Sequence, residues 1–72
     1  MQNSRKTGAV KFFNATKGYG FIIDDDTKND VFVHVSDLSD PRMKNTLRSG
    51  DFVTFEIKDG KKGIKAVNVK NH

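Results

Sequence analysis

The sequence predicts an all-β domain, a small closed barrel of five antiparallel strands, on three observations. Apolar residues nowhere recur at helical spacing for three turns, whereas short runs rich in Val, Ile, Phe and Tyr are separated by clusters of Gly, Asn, Asp and Pro. The chain has 72 residues, too few for a two-sheet sandwich of ordinary size, so closing one sheet on itself is the economical way to remove its edges. It contains no cysteine, so neither disulfides nor a thiolate zinc site can substitute for a packed core. A single domain is expected over residues 1 to 72, ordered from about residue 6 to about residue 70 with frayed ends.

The elements follow from turn chemistry. The first strand is placed at Gly8 to Asn14, and Asn14-Ala15-Thr16-Lys17-Gly18 closes it onto a second at Tyr19 to Ile23. The polar run Asp24-Asp25-Asp26-Thr27-Lys28-Asn29-Asp30 leads to a third at Val31 to His34. Val35 to Asp51 is long for a β connection, holds Pro41, and is expected to include one short helical turn capped by Ser36 or Ser39. The fourth strand is Phe52 to Lys58, and Asp59-Gly60-Lys61-Lys62-Gly63 turns it into the fifth, Ile64 to Lys70. Alternation then points Val10, Phe13, Ile22, Val31, Val33, Val53, Phe55, Ile57, Val67 and Val69 into the core.

The same alternation leaves rings that folding does not use. Phe12 faces out if Phe13 faces in; Tyr19 and Phe21 share a face opposite Ile22; Phe32 and His34 share a face opposite Val31 and Val33. Five solvent-facing side chains on three successive strands would be an aggregation liability without a partner. Lys11, Lys17 and Lys62 lie near these rings or the closing loop. Rings interleaved with lysines suit single-stranded nucleic acid, because every base has a π face and the backbone needs cations. Gly18 and Gly20 keep the second strand slim there, or mark a bulge or tight barrel bend.

Charge agrees in part. The net charge is +4, and it falls in three blocks. Residues 1 to 20 carry four bases and no acid, residues 21 to 57 four bases and eight acids, and residues 58 to 72 five lysines and one acid. Two basic ends around an acidic middle suggest a positive face assembled from both termini, suited to a polyanion.

Other function classes fit poorly. His34, Ser36 and Asp37 are spaced two and one apart, and on a strand residues two apart stand roughly 6 to 7 Å from each other, too far for a direct relay. The other histidine is the terminal His72, so no enzyme is expected. The aspartates of the second loop lack calcium-loop spacing with its closing glutamate, and no metal or cofactor is expected. Apolar runs are only a few residues, against about 20 for a membrane span, and the polar start has no signal-peptide core. A cytoplasmic protein is expected, without a membrane or small-molecule partner.

Lys17-Gly18-Tyr19-Gly20-Phe21-Ile22 resembles the first ribonucleoprotein motif and Val31-Phe32-Val33-His34-Val35-Ser36 the second, in the order and spacing of the cold-shock domain family, with Lys11-Phe12-Phe13-Asn14 as the family's opening. The resemblance covers about Gly8 to Val69. It implies a five-stranded antiparallel OB-fold barrel that binds single-stranded RNA and DNA and acts as an RNA chaperone, linked to transcription and translation in the cold. By the same resemblance the ligand face falls on Lys11, Phe12, Lys17, Tyr19, Phe21, Phe32 and His34, with Asp30 and Lys62 beside them. The sequence departs from the family at three places. Phe12 stands where tryptophan is usual, Val35 where phenylalanine follows the histidine, and Asp40 to Asn45 offers no aromatic, leaving Arg42, beside Met43, to stack or to contact phosphate. Two other readings stay open: a peptide-binding module using the patch or a barrel edge, and duplex binding by charge alone. A monomer is expected, with a strand-swapped dimer as the alternative.

Overall fold

Five strands form where the alternation places them, each a little longer than expected. The computed structural model describes residues 5 to 60 and 63 to 72. Its strands are β1 Lys6–Asn14, β2 Tyr19–Asp24, β3 Asp30–His34, β4 Phe52–Gly60 and β5 Gly63–Asn71. They close in the order β1-β2-β3-β5-β4, with β4 returning to β1. Four contacts are antiparallel, and closure comes through a short parallel pair, Phe32 with Lys65 and Val33 with Ala66. An odd number of strands cannot alternate direction all the way round a closed circuit, so one parallel contact is obligatory. The chain's end is tied in as well: Asn71 pairs with Val53, and the His72 N–H donates to Phe52 O at 3.1 Å.

The core holds Val10, Ile22, Val31, Val33, Val53, Phe55 and Val69 as alternation predicts, with Phe13 packed against it and only partly buried. Two expected core residues are elsewhere. Ile57 keeps the inward phase but is 36% exposed, because β4 has left β1 by then and pairs only with β5. Val67 turns away, and Ala66 takes the inward place. The cause is a bulge: between Thr54 and Glu56 the partner strand advances from Lys70 to Val67, one residue too many. Asn68 absorbs it with φ 53°, and its side-chain amide donates to Glu56 Oε2 at 3.1 Å. Ala66 and Val69 thus both point inward at a spacing of three.

A matching bulge lies in β1. Val10 pairs with Ile22 and Phe12 with Phe21, so Lys11 is the extra residue. It lets Val10 and Phe13 share the inner side and turns Phe12 outward. Ser49 Oγ donates to the Lys11 carbonyl at 2.8 Å, satisfying an acceptor that the bulge takes out of the ladder. Gly20 faces this stretch, and a Cβ there would overlap the Phe12 carbonyl oxygen and stand 2.7 Å from Phe13 Cα. Glycine is what permits the close approach of β1 and β2.

The long connection contributes more than the sequence suggests. Leu38, Met43 and Leu47 are buried and join the barrel's core. Two 3-10 turns form rather than one, Val35–Asp37 and Pro41–Asn45, and neither expected serine caps them. His34 Nδ1 accepts from Ser36 N–H in the first, and Asp40 Oδ1 accepts from Arg42 N–H in the second. Asp24, expected in the polar run after the second strand, is instead the last residue of β2 and only 3% exposed. Its Oδ1 accepts from Asp26 N–H, and Lys6 Nζ lies 3.2 Å from its Oδ2. Asp24, then Asp26, hold the Lys6 ammonium above its ordinary range. Among the described residues no helix is long and apolar enough to cross a membrane.

Candidate nucleic-acid interface

The outer face of β1, β2 and β3 brings four rings into one patch. Cross-strand pairing sets Phe12 beside Phe21 and Phe21 beside Phe32, while Tyr19 pairs with His34. Ring centroids are 5.7 Å apart for Phe12 and Phe21, 5.8 Å for Phe21 and Phe32, 5.9 Å for Tyr19 and Phe32, and 6.3 Å for Phe12 and Tyr19. These distances and their tilted or edge-on packing make a closed circuit of four rings, each steadied by two neighbours. Phe12 is 38% exposed and the other three are half-buried by one another rather than by the core. Such a platform offers π faces without the entropy cost of ordering lone exposed side chains.

His34 stands exposed at the rim beside Tyr19. Because Ser36 lies in a 3-10 turn and not on a strand, its Oγ comes within 2.9 Å of His34 Nδ1, which corrects the separation expected from strand geometry. Nδ1 also accepts from the Ser36 N–H, at 3.2 Å, so the neutral ring carries its proton on Nε2, away from the turn. The pair therefore fixes the ring's orientation. Val35, between them, packs against the core and donates its N–H to Gly18 O at 2.8 Å; it offers no further platform.

The cations divide into held and free. Lys11 Nζ meets Asp30 Oδ2 at 2.8 Å, bringing both residues to one edge of the patch. Arg5 binds Glu56 at 3.1 Å and Lys6 is engaged by Asp24 and Asp26, so with Lys11 three of the four bases of the N-terminal block are met locally by acids of the middle block instead of forming an open positive face. Lys17 is exposed, and its ammonium has no partner among the described residues. The turn that presents it is fixed by Asn14, whose Oδ1 accepts from Lys17 N–H at 2.9 Å and whose carbonyl accepts from Gly18 N–H at 2.7 Å. Arg42 is exposed but clamped, donating from Nε and Nη2 to the two oxygens of Asp40 at 3.2 and 2.9 Å. Hydrogen bonds from Arg42 hold the Asp40 carboxyl below the ordinary carboxylate range, and Asp40 raises the Arg42 guanidinium in return. Met43 beside it is buried. Lys62 lies outside the described residues.

Sequence reasoning missed Lys65, which the parallel β3–β5 register sets beside Phe32. That contact joins residues far apart in the chain, and no local pattern foretells it. Among the described residues no group of three or more His, Asp or Glu side chains is arranged to hold a metal ion.

Comparison with known proteins agrees with the architecture. Residues 6–72 match the family model described as the 'Cold-shock' DNA-binding domain. The chain is 46% identical over 67 residues to cold shock protein CspV of Vibrio cholerae, covering 93% of this chain and 94% of that protein. It is 52% identical over 62 residues to the major cold shock protein of Micrococcus luteus, covering 86% of this chain and 91% of that one. In three dimensions it is similar to the Drosophila Unr fragment CSD456, with a TM-score of 0.76 and 19% identity over 94% of this chain and 26% of that one, a likeness of fold. A family model spanning nearly the whole chain, together with relatives about half identical over most of their length, places this protein in the cold-shock domain family of nucleic-acid-binding proteins, which are not enzymes.

Proposed function

We propose that the protein binds single-stranded RNA and DNA with little sequence preference, by stacking unpaired bases on Phe12, Tyr19, Phe21 and Phe32. The observation that supports this reading most is the closed circuit of four rings on the outer face of the barrel. Each base stacked on an aromatic side chain contributes about 1 to 3 kcal/mol. Three or four platforms reach micromolar to nanomolar affinity after the ordering cost of the strand. His34 donates from Nε2 at the rim, Lys17 meets the backbone, and Lys11 with Asp30 borders the patch, while Arg42 and Lys62 supply further charge for the strand's phosphates. Binding the unpaired form pulls weak RNA secondary structure open by mass action, an ATP-independent chaperone activity in the cytoplasm. The cold shock names of the relatives support a role for it at low temperature. All four rings come from one chain, so a monomer suffices.

Among the described residues the closed barrel leaves only short stretches unpaired on one side, such as β4 beyond Glu56, which gives peptide addition little edge to extend and favours the nucleic-acid reading over the peptide one. Fluorescence anisotropy of labelled heptathymidine at several salt concentrations tests it, with duplex as competitor. Contact with three to five phosphates gives a log-log salt slope of about −2 to −3.5. Equal competition by duplex, or affinity indifferent to salt, overturns the reading. A hairpin RNA carrying a fluorophore and quencher checks the chaperone activity: saturating protein opens it without ATP, and an unopened hairpin contradicts that part.

A further inference from the structure

The outward side chains of the barrel continue past the rings. Phe12 pairs with Phe21, Phe21 with Phe32, Phe32 with Lys65, and Lys65 with Lys58. One row thus crosses all five strands, three rings followed by two lysines. At about 4.8 Å for each step between strands it runs about 19 Å. The inward burial of Ala66 puts Lys65 on the outer side, and the pairing of Ile57 with Ala66 does the same for Lys58.

The lysine end of this row is electrostatically unfinished. Lys58 and Lys65 stand directly opposite each other in an antiparallel pair, where like charges destabilise. The Lys58 ammonium has no partner among the described residues. That of Lys65 meets Asp37 Oδ2 at 3.4 Å, an ion-pair distance without hydrogen-bond geometry, and this oxygen has no other partner among the described residues. The other end of the row differs, for there Lys11 is closed onto Asp30 at 2.8 Å. An anion lying between the two ammonium groups would remove their repulsion and find several unused N–H donors.

We propose that Lys58 and Lys65 form a phosphate subsite at which a single strand leaves the aromatic patch over the β4–β5 hairpin. The inference rests on the single-strand reading and extends it, since it gives the strand a course across the barrel from Phe12 to the hairpin. Asp37 holds the Lys65 ammonium near Phe32 without saturating its donors.

The test uses Lys58→Gln, Lys65→Gln and the double variant, with Lys70→Gln as control. Lys70 lies on the same strand, opposite Thr54, away from the row. Labelled thymidine nonanucleotide is titrated across a salt series. Each variant of the pair weakens binding about twofold to fivefold at low salt and flattens the salt slope by about 0.7, while Lys70→Gln changes neither. Thermal melts show Lys58→Gln at least as stable as wild type, since a like-charge pair has been removed. Wild-type affinity and slope in the double variant, or an equal effect from Lys70→Gln, overturn the subsite while leaving the single-strand reading intact. Failure of the wild-type protein to bind the nonanucleotide overturns both.

Discussion

Phe12 occupies the outermost corner of the ring circuit, 38% exposed, with Tyr19 and Phe21 as its neighbours. Its position depends on Lys11 being an extra residue in β1, because unbroken alternation from Val10 would have turned Phe12 inward. A larger ring at this corner has room to grow toward solvent. Phe12→Trp is therefore expected to tighten heptathymidine binding by about 0.5 to 1 kcal/mol through added stacking area and an indole N–H donor. It also supplies the chain's first tryptophan, so quenching of its emission on titration measures the gain directly, and unchanged or weaker affinity contradicts the assignment. The individual rings were legible in the sequence because adjacent Phe12 and Phe13 must part to opposite faces, and because Tyr19 and Phe21 share a face opposite the inward Ile22. Their mutual packing was not, since it depends on strand register. The Ser36 contact with His34 was hidden for a related reason: strand spacing does not hold for Ser36, two residues past the end of β3 and inside a 3-10 turn.

At the scale of elements, glycine and bulges decide how the strands meet. Gly20 lets β2 approach the β1 bulge, and a Cβ there collides with backbone, which has nowhere to go. Gly20→Ala should cost about 1 to 3 kcal/mol of stability as an overpacked contact. It should also loosen the Phe12–Phe21 pair, so denaturant melts and heptathymidine affinity fall together; a neutral effect on both contradicts this account. The connection between β3 and β4 was the least legible part of the chain. Leu38, Met43 and Leu47 are separated by four and three intervening residues and follow neither strand nor long-helix periodicity, yet each joins the core. In this segment Asp40 caps the turn at Pro41–Asn45. Its carboxyl titrates below the ordinary value, so its stabilising contribution is present above that range and is lost as the pH falls through the lowered pKa. The Arg42 amide shift in an acid titration should follow with a midpoint below 3.8, and a midpoint at or above 3.8 contradicts the cap.

For the whole molecule, one small core supports one exposed platform. Phe55 is fully buried in that core and is not one of the rings of the patch. Phe55→Ala should cost about 3 to 5 kcal/mol, a large share of the roughly 5 to 15 kcal/mol by which small domains are folded, and calorimetry should show a collapsed or much lowered melting transition. Retention of wild-type stability contradicts the core assignment. The fold class was legible because strand count, chain length and turn residues all point to a closed barrel. The parallel closing pair and the inward shift to Ala66 were not, because each follows from long-range closure and a bulge rather than from local pattern.

The central claim is that the rings serve ligand stacking more than folding, and Phe21→Leu addresses it most directly. Leucine keeps apolar packing between Phe12 and Phe32 but has no π face. The affinity of labelled heptathymidine and the melting temperature, measured on the same preparation, should part company: binding weakens by about 1 to 3 kcal/mol while the melt moves by only a few degrees. Wild-type affinity in the folded variant would contradict the claim.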